Sequence, residues 1–126
     1  MLFLTYDEKN ACGGSDFLEL QYCRLPAGAS LAARVEVDAI GHWQEDSLYL
    51  SDAEAFFRDY QAILGYGTYN NLQEGPADLC GINYYTPEQT AAIAEALCRN
   101  QPEDWQRMAA WLEGAKDHNG FYLLGL

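Results

Sequence analysis

Residues 77–97 read ADLCGINYYTPEQTAAIAEAL, and the point where this stretch divides sets the fold. Its second half carries the clearest helix start in the chain. Thr86 is a good N-cap, because its hydroxyl can accept a bond from an unpaired N–H of the first turn. Pro87 takes the first helical position, where a missing N–H loses nothing. Glu88 sits at the positive end of the helix dipole, and Gln89 completes a capping box. Ala92, Ile93, Ala96 and Leu97 then recur at helical spacing, and the helix is expected to stop near Asn100. The first half, with Gly81, Ile82, Asn83, Tyr84 and Tyr85, is apolar and aromatic. Two tyrosines at a helix entrance suit either of two roles. They can anchor a core with their hydroxyls turned to water, or they can form a recognition patch.

Working outward from this junction, residues 65–76 (GYGTYNNLQEGP) hold three glycines, two asparagines and a proline, and read as a loop carrying Tyr66 and Tyr69. Before it, Ser51 with Glu54 three residues on reads as a second capping box. Ala53, Phe56, Phe57, Tyr60, Ile63 and Leu64 follow on one stripe, and Gly65 ends the helix. Upstream, four segments read as extended. Residues 2–6 suit a first strand and are followed by a polar loop over 7–14. Residues 17–24 alternate, with Leu18, Leu20 and Tyr22 opposed to Glu19 and Gln21. Residues 31–40 alternate most cleanly of all, with Leu31, Ala33, Val35, Val37 and Ala39 on one face, the signature of a strand with one wet side. Leu48, Tyr49 and Leu50 suit a short fourth strand. Downstream, Pro102 opens a helix with Glu103 and Asp104 in its first turn. Trp105, Met108, Ala109, Trp111, Leu112 and Ala115 give that helix an apolar face. Residues 116–120 form a turn, and 121–126 (FYLLGL) read as a buried closing strand placed beside an early one. Strands gathered at one end and helices at the other predict an α+β fold: an antiparallel sheet with about three helices packed on one face.

The chain has 126 residues, the length of a single domain over 1–126 that can bury a core without staples. Its N-terminus lacks a basic leader and a cleavage site, and no apolar run approaches a membrane span, so a cytoplasmic protein is expected. The net charge is −12, spread along the chain. Such a surface disfavours direct nucleic-acid binding, which needs a basic face. It favours a basic protein partner, although acidity also serves solubility alone. Cys12, Cys23, Cys80 and Cys98 make no CxxC pair and read as reduced, mostly buried thiols. No metal site and no cofactor is expected.

Candidate chemistry is sparse. Gly65, Gly67 and Thr68 imitate a phosphate loop but lack its lysine and follow a helix where a strand is required. His118 lies in an exposed turn. His42, near Glu45 and Asp46, is a conceivable general base, yet no motif places a nucleophile beside it. The aromatic content says more: 9 tyrosines, 3 tryptophans and 5 phenylalanines, several in turns flanked by acids. Tyr and Trp combine a large apolar area with a polar tip and so serve as interface anchors. The candidate partner-binding set is Trp43, Glu45, Asp46, Tyr66, Tyr69, Asn70, Asn71, Tyr84 and Tyr85.

Residues 35–52 (VEVDAIGHWQEDSLYLSD), 67–71 (GTYNN), 78–90 (DLCGINYYTPEQT) and 119–126 (NGFYLLGL) together resemble a family of small, uncharacterised bacterial proteins. These are found among the immunity proteins of polymorphic-toxin and contact-dependent inhibition systems. The resemblance implies a cytoplasmic inhibitor that binds a cognate toxin domain and is not itself an enzyme; it brings no binding residues with it. A nuclease toxin, with its basic cleft, suits an acidic inhibitor. The alternative is a small-molecule-binding domain with a pocket lined by Tyr66, Tyr69, Tyr84 and Tyr85. An enzyme using His42 with Glu45 or Asp46 is a third reading.

Overall fold

The computed structural model describes residues 1–14 and 16–125. Helix α1 (Tyr6–Cys12) leads to β1 (Leu18–Tyr22), the short α2 (Leu31–Arg34), a 3-10 turn (Val37–Ala39) and β2 (Leu48–Leu50). Then come α3 (Ala53–Leu64), β3 (Tyr66–Thr68), β4 (Glu74–Pro76), β5 (Ile82–Tyr85), α4 (Pro87–Asn100), α5 (Trp105–Gly114) and β6 (Phe121–Leu124). The strands form one antiparallel sheet in the order β2-β1-β6-β5-β3-β4. The closing strand does lie beside an early one: β6 sits between β1 and β5. Leu126, the end of the expected final strand, falls outside the described residues.

Alternation sorts each strand between two sides. Leu18, Leu20, Leu48, Leu50, Tyr85, Phe121 and Leu123 join one large core with residues of α3, α4 and α5. The opposite side carries Tyr84, Tyr122 and Leu124, closed over by Cys23 and Val35. Register makes that second side legible. Tyr49, Glu19, Leu124 and Ile82 are successive cross-strand partners, and Leu4 bridges to Tyr49 at the end of the row. The side expected to face water is therefore largely buried, including Glu19 and Gln21.

The junction at Thr86 forms as its chemistry dictates. Thr86 Oγ1 accepts the Gln89 N–H at 3.1 Å, and Gln89 Oε1 accepts the Thr86 N–H at 2.8 Å. Five other segments depart from expectation, and each departure is accompanied by a specific side-chain hydrogen bond. Residues 31–40 make no strand: Ser30 Oγ caps a helical turn through the Ala33 N–H. Arg34 then donates to the carbonyls of Ala27 and Ala29, locking the turn. Residues 2–6 give a single bridge, and the loop at 7–14 is mostly α1, because Thr5 and Glu8 form a capping box. Helix α3 is capped by Asp52, whose carboxylate accepts the Ala55 N–H, so Ser51 and Glu54 form no box. Helix α5 starts at Trp105, later than Pro102, since the Asp104 carboxylate turns away to bind the N–H groups of Leu2 and Phe3.

The fifth departure is the segment 65–76, which pairs as the hairpin β3–β4. Tyr69 folds back across it and donates to the Pro76 carbonyl at 2.6 Å. That crossing needs a residue without a Cβ at 75, where any side chain would collide with the Tyr69 ring. Among the cysteines only Cys23 is buried; Cys12, Cys80 and Cys98 are exposed free thiols, at a helix end, a turn and a solvent-facing helix position. His118 is half-buried and stacks on Tyr22 at 4.7 Å between ring centroids.

Candidate functional site

The loop over 41–47 hangs from one buried carboxylate. Glu19 is fully buried, and its two oxygens accept four hydrogen bonds. Oε1 takes the Trp43 N–H at 2.9 Å. Oε2 takes the Gln44 N–H at 3.1 Å, the Ser47 hydroxyl at 2.7 Å and the Gln21 amide at 3.0 Å. The Gln21 amide also donates to the Gly41 carbonyl at 2.6 Å, and the Tyr49 hydroxyl donates to the Gln44 carbonyl. Burying a charge is tolerable only with this degree of satisfaction. Burial drives the Tyr49 phenol upward, with the negative charge of Glu19 adding to the shift, so Tyr49 stays a donor.

The framework holds Trp43 in the left-handed region, at φ 66°. A bulky non-glycine residue there is strained and persists only when its surroundings fix it. The product is a tryptophan that remains 39% exposed. Its ring stacks on Tyr49 at 5.8 Å and tilts against His42 at 5.6 Å. Glu45 and Asp46 follow on the exposed turn, and Asp46 pairs with Arg24. The Asp46 carbonyl also accepts the Trp111 indole N–H at 2.8 Å, tying the turn to α5. His42 does not meet Glu45 or Asp46 as an ion pair. Its Nδ1 lies 3.5 Å from Glu19.

A cleft of about 510 Å³ opens on the same side of the sheet. Val37, Ile40, Asp78, Cys80, Ile82 and Leu124 line it. His42 from the Glu19-held loop and Asn70 from the hairpin tip both line it, so the fold brings these two segments to one place. The Asp78 turn is itself pinned. The buried Asn83 accepts the Asp78 N–H at 2.7 Å and donates to the Asp78 and Leu123 carbonyls.

The candidate partner-binding residues divide accordingly. Trp43, Glu45 and Asp46 share one exposed turn. Asn70 and Asn71 are exposed at the hairpin tip, where the Asn71 side chain accepts the Gln73 N–H at 3.0 Å. Tyr66 is 65% exposed, and Tyr69 is half-buried over Gly75. Tyr84 and Tyr85 are not surface residues: both are fully buried. As neighbours on β5 they point to opposite sides of the sheet. Tyr84 donates to the Asn119 carbonyl at 2.6 Å, while Tyr85 stacks on Phe121 at 4.9 Å. The four tyrosines Tyr66, Tyr69, Tyr84 and Tyr85 therefore do not line one pocket. No family model, curated protein or solved structure matches the chain. The site is thus read from its own geometry.

Sequence reasoning missed Glu19 and also Lys9, whose ammonium lies 4.4 Å from the Trp43 ring centroid. Glu19 looked like a solvent-facing residue of an alternating strand, and nothing local marks it as buried. Lys9 lies in a segment whose polar composition predicts a loop. The Thr5-x-x-Glu8 pattern, the same capping signal that located Thr86, would have placed it on a helix. Among the described residues, no group of three His, Cys, Asp or Glu side chains is placed to hold a metal ion, and no helix is long and apolar enough to cross a membrane.

Proposed function

We propose that this chain is a cytoplasmic immunity protein that binds a cognate bacterial toxin domain, most simply a nuclease, and blocks its active site without performing chemistry. One observation carries the reading. A buried carboxylate and a strained backbone together hold Trp43 half-exposed, with Glu45 and Asp46 beside it, on a protein of net charge −12. Strain and a buried charge both oppose stability, and a rigid, presented tryptophan is what they secure. An exposed tryptophan followed by Glu45, on a protein of net charge −12, complements a basic cleft. The acids occupy positions that substrate phosphates would take, and the opposed fields speed encounter. The hairpin tip with Asn70 and Asn71, and the cleft between tip and loop, supply a second contact for a protruding partner segment. Co-expression with the C-terminal domain encoded immediately upstream of this gene tests the reading. A stable complex that loosens with added salt supports it. Absence of binding at micromolar concentrations refutes it.

A further inference from the structure

The Trp43 loop carries a second feature, which gives the proposed partner-docking surface a ligand chemistry and rests on that reading for the ligand's being another protein. The Lys9 ammonium lies 4.4 Å from the ring centroid of Trp43, 4.8 Å from Tyr49, 5.2 Å from Tyr6 and 6.0 Å from Phe17. Four rings from four segments converge on one cation. The arrangement is unusual in its partners as well as in its number. This chain has 19 acidic residues, yet among the described residues Lys9 makes no ion pair and no side-chain hydrogen bond to a carboxylate. Its charge faces π-systems, which attract a cation through their negative faces and discriminate against small hydrated ions.

Three of the four rings are anchored outside the helix that carries Lys9, and Tyr6 shares that helix. Tyr49 is fully buried, Phe17 nearly so, and Trp43 is held by Glu19 through its backbone. Lys9 is joined by four rotatable methylenes to a seven-residue helix with no buried residue. A rotation of those methylenes empties the cage without moving any strand. Two of the cage rings, Tyr6 and Trp43, also border an open depression with Arg24, Gln44, Glu45 and Asp46.

We propose that the Tyr6–Phe17–Trp43–Tyr49 cage is a binding site for an alkylammonium group from outside the chain, with Lys9 as its resident occupant. The favoured ligand is a lysine side chain of another protein, whose remaining positive charge would meet Glu45, the acid of this turn that Arg24 leaves unpaired. The resident lowers the apparent affinity in proportion to its occupancy. If the cage is open a tenth of the time, removing Lys9 tightens binding about tenfold.

Tetramethylammonium chloride and Nα-acetyl-lysine methylamide are the probes, each titrated against sodium chloride at equal ionic strength. In the wild type, the Lys9 ε-methylene protons should resonate upfield through ring currents. Tetramethylammonium should return them towards solvent values while shifting the Trp43 indole N–H. Lys9→Ala should bind both probes saturably and about tenfold more tightly than wild type, and Lys9→Ala/Trp43→Ala should bind neither. Binding of the lysine amide assigns the natural ligand to protein side chains, and binding of tetramethylammonium alone assigns it to free quaternary amines. A folded Lys9→Ala variant without saturable shifts overturns the proposal. Should that variant not fold, wild-type Lys9 signals that stay upfield throughout the titration overturn it equally.

Discussion

Replacing Glu19 with glutamine tests whether one buried carboxylate organises the surface loop. Glutamine matches glutamate in shape but offers one acceptor oxygen where the carboxylate offers two. In its better orientation the carbonyl oxygen replaces Oε2 and keeps Gln44 N–H, the Ser47 hydroxyl and the Gln21 amide. The NH2 group then faces the Trp43 N–H, donor against donor. A hydrogen bond to a charged group contributes about 1.5–3 kcal/mol, and orphaning a buried donor costs about 1–3 kcal/mol. The three remaining bonds lose their charge assistance, while the neutral side chain is easier to bury. The net expectation for Glu19→Gln is a loss of about 2–4 kcal/mol. Glu19→Leu, which leaves all four donors without this partner, must lose more. Urea unfolding with an unchanged m-value gives the magnitude. Amide hydrogen exchange at Trp43 and Gln44 gives the location. A Glu19→Gln protein within about 0.5 kcal/mol of wild type, the range of an ordinary surface substitution, with unchanged exchange at Trp43, would show that Glu19 does not organise the loop.

Other consequences follow from single contacts. Arg107 donates to Glu8, and the Thr5 N–H adds a further bond, holding the Glu8 carboxyl down at about 2 from 4.5. A depressed carboxyl stabilises the fold above its unfolded value, so the α1 attachment should be intact above about pH 4.5 and lost as pH falls towards about 2. Amide exchange at Thr5 and Glu8 reads this directly, and Glu8→Gln should flatten it. Gly120→Ala places a Cβ against the Tyr85 carbonyl at a φ of +80°, and should destabilise by about 2–4 kcal/mol in thermal or urea unfolding. Gly75→Ala should displace Tyr69, loosen the hairpin tip and lose about 1–3 kcal/mol, seen as changed chemical shifts at Asn70 and Asn71. Thr86→Ala removes the capping-box hydroxyl of α4 and should lose about 1 kcal/mol.

The parts of this fold legible in the sequence are those where pattern and local chemistry agree. At 86–100 the cap, the proline and the apolar spacing all specify a helix, and α4 spans Pro87–Asn100. Closing residues such as Phe121 and Leu123 were too apolar for any place but a sheet interior, and β6 sits there between two strands. At 31–40 pattern and chemistry conflict. The alternation was clean, but Ser30 and Arg34 supply side-chain bonds to nearby backbone that an isolated pattern does not reveal. At Glu19 no local signal exists. Whether the outer side of L-E-L-Q-Y is wet depends on a loop folding back from more than 20 residues away, and that loop is placed by tertiary contact. The candidate surface was half legible for the same reason. Trp43 and the hairpin asparagines lie in turns rich in polar residues, whereas Tyr84 and Tyr85 lie on a strand covered from both sides.

The Trp43 turn is proposed as the recognition surface for a basic toxin domain. Isothermal titration of the upstream-encoded C-terminal domain against wild type and Trp43→Ala/Glu45→Lys tests it most directly. Tight, salt-sensitive binding by the wild type is expected, with a loss of at least about 2 kcal/mol in the double variant, as for an interface hot spot. Binding of equal strength by both proteins, with the variant's fold intact, would contradict it.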